Sequence, residues 1–128
     1  MEIKITNIDK TAEIDGVWMD YLGVSICVAR QNNPKFLDKL KELAAKEGRR
    51  PFHKLPTKKR DEVLKRTIAE TIIVGWDGFQ LGGKELEYTP ENAYQLINND
   101  PECLNAVTTF SMNIENYVAA EEEETGEE

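Results

Sequence analysis

Residues 67–92 read TIAETIIVGWDGFQLGGKELEYTPEN, and the fold turns on how this stretch is divided. Ile68, Ile72, Ile73 and Val74 continue an apolar stripe that begins at Val63 and Leu64, which predicts the end of an amphipathic helix. The stripe widens toward Ile73 and Val74, so the far end of this helix should lie deeper than its start. Gly75 and Gly78 can both adopt positive φ, which places the helix end in the interval Gly75-Trp76-Asp77-Gly78. Gly82-Gly83 then reads as a glycine-rich turn. At Thr89-Pro90 a new helix begins, with a capping side chain, proline at the first helical position and Glu91 in the first turn.

Working outward from there, Asp100-Pro101-Glu102 repeats the same start signal for a further helix. In it Leu104, Val107, Ser111, Ile114 and Val118 recur at a spacing that makes a seam, for a helix of this chain or of a second subunit. Upstream, Asn33-Pro34 starts a helix whose apolar positions are Phe36, Leu37, Leu40, Leu43 and Ala44, with Gly48 as its stop. Residues 49–56, RRPFHKLP, read as an exposed connection, and Thr57 as the N-cap of the helix that leads into residues 67–74. Earlier still, Gly16–Tyr21 and Val24–Ala29 flank Leu22-Gly23, the pattern of a β-hairpin at about 16–30. Ile3, Ile5 and Ile8 suggest a short strand before it. An isolated hairpin is marginal in water and must pack on the helices. The expected fold is therefore α+β: mainly helical, with a small N-terminal β-hairpin against about four helices, in one domain over 1–118. Residues 119–128, ending in EEEETGEE, read as a disordered acidic tail.

The chain has 128 residues, 40% hydrophobic and 31% charged, enough for one core without metal or disulfides. Cys27 and Cys103 show no metal or redox spacing and read as two reduced, buried thiols. No apolar run reaches the roughly 20 residues of a membrane span. The N-terminus MEIKITNIDK lacks the pattern of a secretion signal, so a cytoplasmic location is expected. The net charge of −8 is segregated: residues 34–66 carry 12 basic and 5 acidic side chains, whereas residues 67–128 carry 1 basic and 14 acidic. Opposed fields of this size favour self-association or steering of a charged partner.

His53 is the single histidine, which argues against His-rich metal sites and a Ser-His-Asp triad. Asp77 beside Trp76 has no partner carboxylate at a telling spacing, and Gly82-Gly83 lacks a phosphate-binding frame. An enzyme, a metal centre and a cofactor site are not expected. Lys54, Lys58, Lys59, Arg60, Lys65 and Arg66 cluster at a helix start, as a phosphate-binding patch would; they could equally pair with the acidic half of this or a neighbouring molecule. Trp76 and Phe79 bracket the break, either as aromatics plugging the core under a loop or as an exposed anchor for a partner.

The order of these features resembles the tail assembly chaperones of long-tailed bacteriophages. It comprises the Gly16-Val17-Trp18 hairpin, the basic helix from Asn33-Pro34, Ala69-Glu70 running into Trp76-Asp77-Gly78-Phe79, and Tyr88-Thr89-Pro90-Glu91-Asn92-Ala93. The Asp100-Pro101 break and Glu115-Asn116-Tyr117 complete it, so that the resemblance spans about residues 16–118. It implies a non-enzymatic factor that coats the phage tape measure protein, keeps it soluble and helps recruit the major tail tube protein. It further implies self-association, a place in the host cell cytoplasm, absence from the mature virion, and a possible frameshift-extended form. The candidate contacts with partners or with other copies are Lys54, Lys58, Lys59, Arg60, Trp76, Asp77, Phe79 and Tyr88. The competing expectation is a nucleic-acid-binding phage adaptor using residues 54–66.

Overall fold

The computed structural model describes residues 7–48 and 50–119. Ile3 and Ile5 of the expected first strand, and all of the acidic tail except Ala119, lie outside the described residues. The fold is α+β, as the patterning implies: a small antiparallel sheet near the N-terminus packed against helices.

A helix that residue patterning missed comes first. Asp9 accepts hydrogen bonds from the N–H groups of Thr11 and Ala12 and starts α1, Lys10–Asp15. Gly16 ends it at φ +98°, where an added Cβ would lie 2.6 Å from Cys27 Sγ and 2.8 Å from a Val74 methyl. Only glycine lets the chain turn so closely from helix to strand. The hairpin follows as expected, β1 Val17–Tyr21 and β2 Val24–Val28, with Val17 opposite Val28 and Tyr21 opposite Val24. Leu22 and Gly23 both have positive φ (51° and 87°), the geometry that matches a two-residue turn to the twist of its strands.

α2, Pro34–Lys46, begins where the Asn-Pro signal places it. Asn33 is 1% exposed; its Oδ1 accepts from the Phe36 N–H at 3.0 Å, and its Nδ2 donates to the Arg30 carbonyl oxygen at 2.7 Å. The 49–56 connection is not wholly exposed, because Phe52–Lys54 makes a 3₁₀ turn and Leu55 is 4% exposed. α3, Thr57–Thr67, has Pro56 rather than Thr57 at its N-cap, with no side-chain capping bond; Thr57 instead accepts from Arg60 Nη2 at 3.2 Å.

The decisive stretch divides differently from its reading as a helix end. The last turn, Ile68–Ile72, widens to π-helical geometry, with the Ile73 N–H bonded to the Ile68 carbonyl. From Ile73 the chain is extended: β3, Ile73–Asp77, pairs antiparallel with β2, Ile26 opposite Trp76 and Cys27 opposite Gly75. The register slips between Cys27 and Val28, leaving Val74 as the extra residue of a bulge. Gly78 takes positive φ (114°), but Gly75 does not. A short apolar run suits a buried strand as well as a helix end, and here the unpaired edge of β2 captures it. The far end is deepest, as expected: Ile72 and Ile73 are fully buried and Val63 is 4% exposed.

Gly82-Gly83 is a turn between two short strands, β4 Gln80–Leu81 and β5 Lys84–Glu85. α4, Pro90–Asn99, and α5, Pro101–Met112, start at their expected caps: Thr89 accepts from the Asn92 N–H at 3.0 Å and Asp100 from the Cys103 N–H at 3.1 Å. The seam does not run to Val118. Val107 and Ser111 are fully buried inside the molecule, but α5 stops at Met112, Ile114–Tyr117 forms a 3₁₀ turn, and Ile114 and Val118 are exposed. Val118 instead bridges Ile8, which brings the two ends of the described chain together. Tyr117, 1% exposed, seals the join by donating to the Val28 carbonyl at 2.9 Å.

The main core lies between the face of the sheet bearing Ile26, Val28 and Ile73 and the helices, which supply Phe36, Ile68, Ile72, Ala93, Ile97, Cys103 and Val107. A smaller cluster, Ala44, Leu55 and Val63 with Leu40, Leu43 and Phe52 against it, sits under the 50–55 segment. Both cysteines are free and buried, in line with the expectation of reduced thiols.

Candidate functional site

The eight candidate contacts divide into two groups that the fold uses differently. Trp76 projects from β3 to the helical side of the sheet and packs edge-on against Phe79 (centroids 5.0 Å apart) and Tyr88 (5.2 Å). Its indole N–H donates to the Leu86 carbonyl at 2.8 Å, and the Leu86 N–H donates to the Phe79 carbonyl at 2.8 Å. This closes the loop carrying β4 and β5 onto the core. The Tyr88 hydroxyl donates to the Ile73 carbonyl at 2.6 Å and lies 3.2 Å from that of Ala69, across the helix-to-strand junction. Burial raises its pKa, with the Glu70 carboxylate adding to the effect. The three aromatics pack on one another beneath the loop, and each remains partly exposed. Asp77 stands exposed at the end of β3.

The basic residues lie along α3 and the turn before it, and much of their charge is already answered. Lys59 pairs with Glu47 at 3.4 Å and Glu62 at 3.5 Å; Lys65 pairs with Asp61 at 3.2 Å. Arg66 binds Glu91 at 2.7 Å and stacks 3.7 Å from the centre of the Tyr94 ring. Arg60 is half-buried, its Nε enclosed with no hydrogen-bond partner among the described residues. Lys54 and Lys58 remain exposed and make no ion pair among the described residues. The cluster that looks like a phosphate patch in sequence is thus partly consumed by carboxylates of the same chain, including Glu91 of the acidic half.

Beside these cations lies a feature that residue spacing did not single out. A cleft of about 500 Å³ runs between α2 and the 50–52 segment. Leu37, Leu40, Ala44 and Ala45 form one wall and Pro51 and Phe52 the other, with Lys41 and Arg50 on its lining as its two charged groups. Leu37, at an apolar position of the helix, is 50% exposed. Neither Lys41 nor Arg50 makes an ion pair among the described residues. Phe52 also lines a second, smaller cleft of about 260 Å³ with Thr57, Arg60, Asp61 and Leu64, so apolar surface continues over the ring onto α3. The available signal was the width of the α2 stripe. Phe36 and Leu37 are adjacent in sequence and about 100° apart on a helix, so Leu37 stands at the edge of the stripe. Phe36 takes the main core at 2% exposure and Leu37 is left at the cleft.

The Tyr21 hydroxyl donates to Asp100 at 3.2 Å, and burial followed by that carboxylate raises its pKa. Among the described residues no three His, Cys, Asp or Glu side chains are grouped so as to hold a metal ion. The arrangement offers apolar contact with positive charge at its edge, which is chemistry suited to holding a partner.

Residues 31–128 match the family described as YdaY prophage protein. No curated protein and no solved structure matches the chain.

Proposed function

The chain belongs to the YdaY prophage protein family, and from that premise we propose that it is a phage tail assembly chaperone. Its phage derivation is a finding; the chaperone role is our reading. The chain holds the tape measure protein in solution, helps bring the major tail tube protein to it, and catalyses no reaction. It acts in the host cell cytoplasm and leaves before the virion matures. The observation that carries the reading is the open apolar cleft along α2, with Leu37 half-exposed at its wall. A chaperone for a long helical protein needs repeated, individually weak apolar contacts that sum by avidity along the partner. The ordered motifs of the resemblance from Asn33 to Tyr117 fall within the residues matched to this prophage family, which supports the phage part of the reading.

The test is co-expression with the tape measure protein from the same prophage, followed by light scattering of what copurifies. A soluble complex holding several copies of this chain is expected. A tape measure protein that precipitates while this chain stays free would overturn the proposal. The nucleic-acid alternative has less to draw on, because Lys59, Lys65 and Arg66 are engaged with carboxylates. It would return if the chain bound DNA or RNA with a steep loss of affinity in salt.

A further inference from the structure

We propose that the cleft between α2 and the 50–52 segment receives a single amphipathic helix of a partner protein, one whose apolar stripe is narrow and whose flanks are acidic. The inference rests on the reading of this chain as a holder of protein partners and adds where the partner lies and what chemistry it presents.

Shape comes first. From Leu37 to Ala45 the wall of the cleft runs over eight helical steps, about 12 Å at 1.5 Å per residue. That length accommodates about two turns of a docked helix, three anchors at i, i+3 or i+4, and i+7. Exposed Ala45 makes the Gly48 end of the wall shallow, so a backbone can approach there, while half-exposed Leu37 offers apolar surface to be covered and partly buried Phe52 closes the other side. Charge then selects the flanks. The two charged residues of the cleft are both cations, and neither is answered by a carboxylate among the described residues. The neighbouring turn adds exposed Lys54, and the start of α3 adds exposed Lys58. Lys39, Lys46, Lys59, Lys65 and Arg66 are each paired within the chain, whereas this edge is a part of the basic segment still available to an acidic partner.

The test uses two fluorescent 18-residue helical peptides with the same Leu/Ala stripe, one flanked by glutamates and one by lysines, titrated with the full chain and read by anisotropy. The glutamate-flanked peptide should bind at least about tenfold more tightly, the scale on which close complementary charges discriminate partners. Leu37→Glu should weaken it about tenfold or more, as loss of a central apolar anchor does, and the exposed Ala45→Glu should act in the same direction. The Lys41→Glu, Arg50→Glu double variant should reverse the preference between the peptides. All four positions are at the surface, so each variant can be checked for an unchanged melting temperature. Equal binding of both peptides, no binding, or binding that Leu37→Glu and Ala45→Glu leave unchanged would overturn the inference. So would an oligomer of this chain that excludes the peptide and dissociates on Leu37→Glu, which would make the cleft a contact between copies. Co-expression separates this from the chaperone reading. A Leu37→Glu chain that still solubilises the tape measure protein refutes the cleft alone. A wild-type chain that binds the acidic peptide but leaves the tape measure protein insoluble refutes the chaperone role alone.

Discussion

Removing the single oxygen of Tyr88 should destabilise the protein by about 1.5 kcal/mol, because that hydroxyl holds the point where helix becomes strand. The π-helical turn Ile68–Ile72 and the start of β3 share one donor: Tyr88 lies 2.6 Å from the Ile73 carbonyl oxygen and 3.2 Å from that of Ala69. Tyr88→Phe keeps the ring, and with it the edge-on contact 5.2 Å from Trp76, so packing is preserved. What is lost is the donor to an enclosed carbonyl, at a cost of roughly 1–3 kcal/mol if no water reaches it. Partial access of water to a half-buried residue keeps this to about 1.5 kcal/mol. For a domain of this size that is a fall in Tm of roughly 6 °C. Differential scanning calorimetry, with urea unfolding followed by tryptophan fluorescence, measures it. Tyr94→Phe is the control. The Tyr94 hydroxyl makes no hydrogen bond among the described residues, and the phenyl ring can still stack under Arg66, so its Tm should stay within about 1 °C of wild type. If Tyr88→Phe melted with the wild type while Tyr94→Phe did not, the account of the helix-to-strand junction would be refuted.

Three other outcomes are expected. Gly16→Ala should cost about 3 kcal/mol or more, because φ of +98° is combined with a Cβ 2.6 Å from Cys27 Sγ; Gly23→Ala, also at positive φ but with open space around it, should cost about 1 kcal/mol by urea unfolding. Asn33→Ala should cost about 2–3 kcal/mol, since it removes the α2 cap and the donor to the Arg30 carbonyl; Asn33→Asp, which restores only the acceptor, should recover less than half of the loss in the same assay. Burial, with Asp100 adding to it, pushes the Cys103 thiol up from 9.0 to about 12. The folded state then holds this proton more tightly than the unfolded state. Its contribution is fully present below about pH 9 and is lost between about pH 9 and pH 12, at up to about 1.4 kcal/mol per pH unit. Cys103→Ala should flatten that part of the alkaline profile of Tm, after allowance for its own cavity; an unchanged slope would refute the assignment.

The segments legible without a structure are those whose cause is local. Asn33-Pro34, Thr89-Pro90 and Asp100-Pro101 satisfy their own first-turn N–H groups, and Leu22-Gly23 makes its own turn, so each reads from a few residues. Three helix starts and the hairpin therefore needed nothing distant. The free, buried cysteines and the depth of Ile72 follow from apolar pattern alone. The prophage origin was approached the same way, through an ordered series of short motifs.

What needed the tertiary structure is whatever depends on a partner far along the chain. Ile73–Asp77 is apolar enough for either a helix end or a buried strand, and it is extended because β2, some 50 residues earlier, offers it an edge. α1 is short and could be placed only with its Asp9 cap and the turn at Gly16, whose tightness Cys27 and Val74 reveal. The surroundings of the candidate contacts also needed it. Trp76, Phe79 and Tyr88 serve the core, and Lys59, Lys65 and Arg66 spend their charge on carboxylates of their own chain. The apolar stripe of α2 was visible in the residues, but which part of it would be covered was not. Leu37, at the edge of that stripe, is the side chain left half-exposed, beside a cleft bearing Lys41 and Arg50. Local sequence determines where elements start because caps and turns act over a few bonds. Tertiary structure determines which apolar and charged groups remain available, because availability is what is left once every distant contact has been made.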